Sequence, residues 1–148
     1  MLAKDIMTAK PITVESSTSI GDAVKIFLDN KISSVPVMTT MKEIAGQLTE
    51  LVLVRILVLH QLQPEKYKQL VNCIDLLEPA AFVDPEATIA TVIKAIIKSP
   101  SRRVLIKSDG RQIVGIISPK DLLRLLMSGK SEVKIVQEEI VKTYPKKT

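Results

Sequence analysis

Apolar and polar positions along the chain fall into two similar series. Ile20, Ala23, Val24, Phe27 and Leu28 follow the i, i+3, i+4, i+7, i+8 spacing of a helix with one apolar face. Ile89, Val92, Ile93, Ile96 and Ile97 repeat that spacing 69 residues later. The same offset carries Gly46-Gln47-Leu48-Thr49 onto Gly115-Ile116-Ile117-Ser118 and Val35-Pro36-Val37 onto Val104-Leu105-Ile106. It also carries Ile12-Thr13-Val14 onto Ala81-Phe82-Val83. Four kinds of match at one offset indicate an internal duplication.

Each copy reads as strand, helix, strand, strand, helix. In the first, Ile12–Val14 is a short strand, and Ser19 is the expected N-cap, with Asp22 placed to favour the positive helix end. That helix runs to about Asn30, Val35–Met38 is a buried strand and Glu43–Leu48 its hairpin partner. The stretch Leu51–Leu59 is rich in Val and Ile, which favours strand. It is read as helix, spanning Glu50 to about Gln61, because its counterpart Asp121–Met127 is built of good helix formers. In the second copy Asp109-Gly110 marks a hairpin turn and Gly129 a helix stop. The expected division is a first repeat over 1–62, a linker helix over 63–78, a second repeat over 79–129 and an extension over 130–148. Tyr67, Leu70, Val71, Ile74 and Leu77 space the linker as a helix face, and Val133, Val136, Ile140 and Val141 suggest a short amphipathic helix in the extension. Two such closing helices, apolar nearly all round, in a chain of 148 residues suggest a self-association surface.

Composition narrows the functions. Aromatic residues make up 3% of the 148, so stacking platforms for single-stranded nucleic acid are scarce. The formal charge of +5 favours anionic partners in general, but the Lys and Arg residues are scattered, and a nucleotide phosphate would satisfy this charge as well as a nucleic acid would. Cys73 and His60 are each alone and cannot make a structural zinc site or an internal disulfide. His60 reads as a surface or interface residue and Cys73 as a small buried apolar group. The most apolar run, Leu51–Leu59, is far short of the roughly 20 residues that span a bilayer. A cytoplasmic protein outside the membrane is the expectation, with no nucleophile–base pair or Walker-type loop to suggest an enzyme.

The repeat unit resembles the cystathionine-beta-synthase (CBS) domain, which occurs as tandem pairs. The resemblance rests on Asp5-Ile6-Met7-Thr8, Pro11-Ile12-Thr13-Val14, Gly21-Asp22-Ala23 and Ser33-Ser34-Val35-Pro36-Val37. Its most specific part is Val114-Gly115-Ile116-Ile117-Ser118-Pro119-Lys120-Asp121, which follows the family's Gly-apolar-apolar-Thr/Ser-x-x-Asp nucleotide pattern. It implies an α+β fold of two small three-stranded sheets packed pseudo-two-fold, with helices on the outer faces and two clefts between the halves. It further implies a regulatory module that binds AMP, ADP, ATP or S-adenosylmethionine, needs no obligatory cofactor and forms a homodimer. A ligand bridging the repeats would change their angle, to be read by the dimer partner or a separate effector protein. A ligand-free dimerisation module is the alternative.

By that resemblance, one cleft combines Ile117, Ser118, Lys120 and Asp121 with Ile12, Ser34, Val35 and Pro36. The glycine admits close backbone approach, the hydroxyl and helix-start amides suit phosphate or ribose oxygens, and the carboxylate accepts ribose hydroxyls. Outside the family context, Ser118 and Asp121 read as helix caps. The weaker second site combines Thr49 with Phe82, Val83, Arg102, Arg103 and Val104. There Val52 stands where a carboxylate is expected and Leu105 replaces the strand proline. A hydrogen bond to a charged group contributes roughly 1.5–3 kcal/mol, so losing it weakens binding about 10- to 150-fold. That cleft is expected to be empty or to hold an anion on Arg102 and Arg103, unless those two arginines are simply solvated.

Overall fold

Short polar caps and an apolar stripe per helix organise the chain much as its periodicity requires. The computed structural model describes residues 1–109, 112–128 and 141–142. A one-turn helix α1 (Ala3–Ile6) and strand β1 (Thr8–Ala9) precede β2 (Val14–Glu15), α2 (Ile20–Asn30), β3 (Ser34–Met38), β4 (Ile44–Thr49) and α3 (Glu50–Leu62). A 3-10 helix (Leu70–Leu76) follows, then β5 (Phe82–Val83), α4 (Ile89–Lys98), β6 (Val104–Ser108), β7 (Gln112–Ile117) and α5 (Pro119–Met127). None of the described helices is long and apolar enough to cross a membrane.

These elements form two compact units. The first holds Ile12–Ala80, and the second joins Met1–Pro11 to the chain from Ala81 onward. The spatial units therefore do not coincide with the sequence repeats, because the opening eleven residues lie with the second repeat. Backbone bonds hold them there, Ala3 N–H donating to Ala87 O at 2.8 Å and Lys4 N–H to Pro85 O at 3.0 Å. Lys4 Nζ also meets Glu86 Oε1 at 2.7 Å, and this neighbour raises the Lys4 pKa.

In the first unit the sheet order is β2-β3-β4, with β2 parallel to β3 and β3 antiparallel to β4. In the second it is β1-β7-β6-β5, with β5 parallel to β6 and β6 antiparallel to β7. The duplication holds to the residue. Val14 pairs with Val37 and Val83 with Ile106, and the register shifts at Val37/Met38 and again at Ile106/Lys107, all 69 apart. The second sheet has four strands where three were expected, because β1 adds Thr8 opposite Ile116 and Ala9 opposite Gly115. The first sheet takes its equivalent edge from the linker, as Glu78 bridges Gln47.

Ser19 caps α2 as expected, accepting from Asp22 N–H at 3.1 Å. Ile20, Ala23 and Phe27 on α2 are buried with Val35, Val37, Leu48, Val52, Leu53 and Ile56 in the first core. In the second unit Val92 and Ile96 on α4 pack with Ala3, Val104, Ile106 and Ile117. Leu28 and Ile97, the fifth member of each helical set, are exposed instead.

Two expectations need correction. The opening strand of each repeat is shorter than read, since Ile12, Thr13 and Ala81 lie outside β2 and β5. The linker is not an α-helix over 63–78. Its ordered part is the 3-10 helix, interrupted at Cys73 by φ −126° and ψ 18°. The cause is tertiary, as Leu70 N–H and Val71 N–H donate to Thr18 O and Ser16 O at 2.9 and 2.7 Å. Val71 is accordingly exposed, whereas Leu70, Cys73 and Leu77 are buried. Gly110, Gly129 and the expected tail positions Val133, Val136 and Ile140 lie outside the described residues, and Val141 is exposed.

Candidate functional site

The second unit concentrates polar groups where β7 runs into α5. Ser118 is extended and caps the helix, with Pro119 at the first helical position. Asp121 reaches back from the third, so that Oδ2 accepts Ser118 N–H at 2.8 Å and the Ser118 hydroxyl at 3.1 Å. Its Oδ1 accepts the Thr8 hydroxyl at 3.1 Å and Arg124 Nη1 at 3.1 Å. The carboxylate is only 8% exposed, and these four donors satisfy it. A carboxylate offers about four lone-pair directions, so a ribose hydroxyl must displace one of them. The freest is Arg124, whose side chain is 72% exposed.

Thr8 and Arg124 were absent from the residues expected at the site. Both left a trace in the chain. Thr8 closes the Asp5–Thr8 motif, and Arg124 lies three residues after Asp121, on the same helical face. Lys120 is exposed at the second position of α5, while the Ile117 side chain is fully buried in the core. On the first unit Ser34 opens β3, Val35 is packed in the core and Pro36 is buried beside it, while Ile12 is exposed ahead of β2.

The residues expected at the weaker site are placed less coherently. Thr49 caps α3, accepting Val52 N–H at 3.2 Å. In the second unit Phe82 is exposed under Lys107, whose Nζ lies 4.8 Å from the ring centroid. Val83 is half-buried and Val104 wholly in the core. Arg102, in the left-handed region at φ 58°, donates through Nη1 to Ile97 O at 2.6 Å, and Arg103 donates to Ser101 O at 2.8 Å. Both guanidinium groups thus close the turn that ends α4.

Other chemistry-bearing residues are committed elsewhere. His60 Nδ1 lies 2.6 Å from Tyr67 O, and Cys73 is buried, which pushes its thiol pKa up. The glycines of the two patterns need no ligand to explain them. A Cβ on Gly115 would fall 2.8 Å from Met7 Cγ, and one on Gly46 would fall 2.9 Å from Glu78 O and from Leu77 Cβ. Each glycine admits the chain segment that edges its own sheet.

Comparison with known proteins agrees with this fold. The CBS domain pair of protein MJ0100, solved in complex with 5′-methylthioadenosine and S-adenosyl-L-methionine, is 24% identical, with a TM-score of 0.71 over 88% of this chain and 98% of that one. CBSX2 of Arabidopsis thaliana, solved in complex with AMP, is 21% identical, with a TM-score of 0.70 over 85% and 96%. An uncharacterized protein of Methanocaldococcus jannaschii, MJ1426, is 26% identical over 86% of this chain and 92% of its own length. The CBS domain pattern itself matches residues 3–59 and again 73–128. With two matched segments covering most of its length and the corresponding fold in each repeat, the chain belongs to the CBS domain family.

Proposed function

We propose that the chain is a regulatory module that binds an adenosyl ligand (AMP, ADP, ATP or S-adenosylmethionine) at Asp121 and acts through conformational change and a homodimer. The observation that carries this reading is the buried Asp121 carboxylate, gathered with two hydroxyls at a helix start and held by one exposed, displaceable arginine. Ribose hydroxyls would replace Arg124 on Oδ1, while helix-start amides and Lys120 would favour the ligand's phosphate or another electron-rich group. That the solved neighbours were obtained with AMP and with S-adenosylmethionine supports the ligand class.

Self-association is supported by the second helix of each repeat. Val54 and Val58 on α3 are 56% and 52% exposed, and their counterparts 69 residues on, Leu123 and Met127 on α5, are 60% and 85% exposed. Apolar side chains exposed at equivalent positions of both helices favour burial against a second copy. Catalysis is disfavoured by the commitments of His60 and Cys73.

Calorimetry with AMP, ATP and S-adenosylmethionine tests the reading. One of them should bind, and Asp121→Ala should weaken that site about tenfold or more. At 100 times its dissociation constant the ligand should add about 2.7 kcal/mol to stability. Absence of any binding would leave Ser118 and Asp121 as a helix cap and the chain as an interaction module.

A further inference from the structure

The two units differ in where they keep a carboxylate. Thr8 pairs with Ile116 at the edge of the second sheet, and Glu78 pairs with Gln47 at the edge of the first. Gln47 and Ile116 are 69 residues apart, so Glu78 occupies the place of Thr8. In the second unit that place lies beside the start of α5, since the Thr8 hydroxyl reaches Asp121 Oδ1 at 3.1 Å. The first unit has Val52 in place of Asp121 but retains a cap, Thr49, and an arginine, Arg55, at the Arg124 position. The first unit instead carries a carboxylate, Glu78, on the segment that edges its sheet.

A second observation falls on the same strand. Gln47 is fully buried, and its Nε2 is the buried side-chain nitrogen or oxygen without a hydrogen-bond partner among the described residues. Its Oε1 accepts the Ser34 hydroxyl at 2.9 Å, and its backbone exchanges two bonds with Glu78 at 2.8 and 2.9 Å. The backbone pairing directs the Gln47 and Glu78 side chains to one face of the sheet. Fold does not demand an amide here, because the second unit carries Ile116 at the same place. An orphan buried donor is costly, so a native one calls for an explanation.

We propose that Gln47 and Glu78 form a second nucleoside-reading set on the first unit, with Glu78 supplying the carboxylate that Val52 lacks. This rests on the adenosyl-ligand reading and extends it to a position where an empty site was expected. Glu78 accepts the ribose hydroxyls. The Gln47 amide, oriented by Ser34, donates through Nε2 to a ring nitrogen of adenine and accepts from the 6-amino group through the free lone pair of Oε1. A 6-oxo purine would set two acceptors against each other. Because Nε2 is buried, an opening step precedes contact and association is slow.

Calorimetry on D121A with AMP, 2′-deoxy-AMP and IMP tests this directly. D121A should retain AMP binding and prefer AMP to both analogues by about tenfold. Adding E78Q should erase the preference over 2′-deoxy-AMP, and adding Q47I, the residue of the sister repeat, should erase the preference over IMP. Melting temperatures of the variants check that each is folded, and Q47I alone should melt no lower than wild type. D121A that binds no AMP while wild type does would overturn the proposal and leave the Asp121 site standing. So would unchanged preferences in folded E78Q and Q47I variants. A wild-type chain that binds no AMP would remove both.

Discussion

The strand-to-helix junctions at Thr49 and Ser118 share a backbone and differ in their chemistry. Each begins a helix after an antiparallel strand, and each capping residue has an extended backbone. In one, Thr49 alone caps, and the residue three positions on, Val52, is 1% exposed in an apolar core. In the other, Asp121 reaches back to accept from the Ser118 N–H and hydroxyl, and the carboxylate gathers Thr8 and Arg124 as well. The duplicated fold therefore tolerates either an apolar or an ionised group at this turn. The edge segments differ in step, since the second unit's offers a donor, Thr8, and the first unit's carries an acid, Glu78.

The largest effect should come from forcing one junction to become the other. Val52→Asp places a carboxylate in a core lined by aliphatic side chains, in a unit whose sheet edge carries Glu78 rather than a hydroxyl. An uncompensated buried charge costs about 3–5 kcal/mol, so urea unfolding of V52D should show most of the stability of this chain gone. Adding Glu78→Thr supplies the donor found in the second unit and removes the like charge. The pair should recover about 0.5–3 kcal/mol relative to the sum of the single changes. Strict additivity would mean that residues 52 and 78 do not share an environment, and the comparison of the junctions would fail.

A smaller contrast is expected at the two glycines. Gly46→Ala pushes a methyl group against the Glu78 carbonyl and Leu77 Cβ, while Gly115→Ala pushes one against the side chain of Met7. Overpacking costs typically about 1–3 kcal/mol. The upper part of that range is expected at Gly46, where backbone must move, and the lower part at Gly115, where a flexible thioether can turn aside. Chemical denaturation of the two variants measures this. Equal losses would show that the edge segments are held with equal rigidity in both units.

How much of this could be read from the chain follows the range of the forces involved. Helices α2, α3 and α4 and the cap at Ser19 were legible because apolar spacing and capping are local. Even Leu51–Leu59, which its β-branched residues would make a strand, was settled by its duplicate in α5. The 3-10 linker was not legible, because bonds from Leu70 and Val71 to residues some 50 positions earlier override a helical spacing. Of the site, Ser118 and Asp121 were visible as a pattern, whereas Thr8 comes to Asp121 across 113 residues of chain. Arg102 and Arg103 looked like an anion site because charge is visible in a sequence and the carbonyls that occupy it are not.

The smallest effect sharpens the comparison furthest, because it separates stability from binding at one atom. Arg124→Ala removes an ion pair that is exposed at the arginine and buried at the carboxylate, and pairs open to solvent contribute about 0.2–1 kcal/mol. The unfolding midpoint should hardly change, since Ser118 and Thr8 still hold the carboxylate. Affinity for an adenine nucleoside should instead rise by up to about fivefold, because the ribose no longer competes with the guanidinium for Oδ1. The gain should shrink at high salt in the wild-type comparison, where screening already loosens the pair. Arg55→Ala on the first unit has no helix carboxylate to release, since Val52 stands three residues before it, and should give no such gain at the Asp121 site. If R124A weakens adenosine binding instead, the arginine touches the nucleoside, and the displaceable latch inferred from its exposure is wrong.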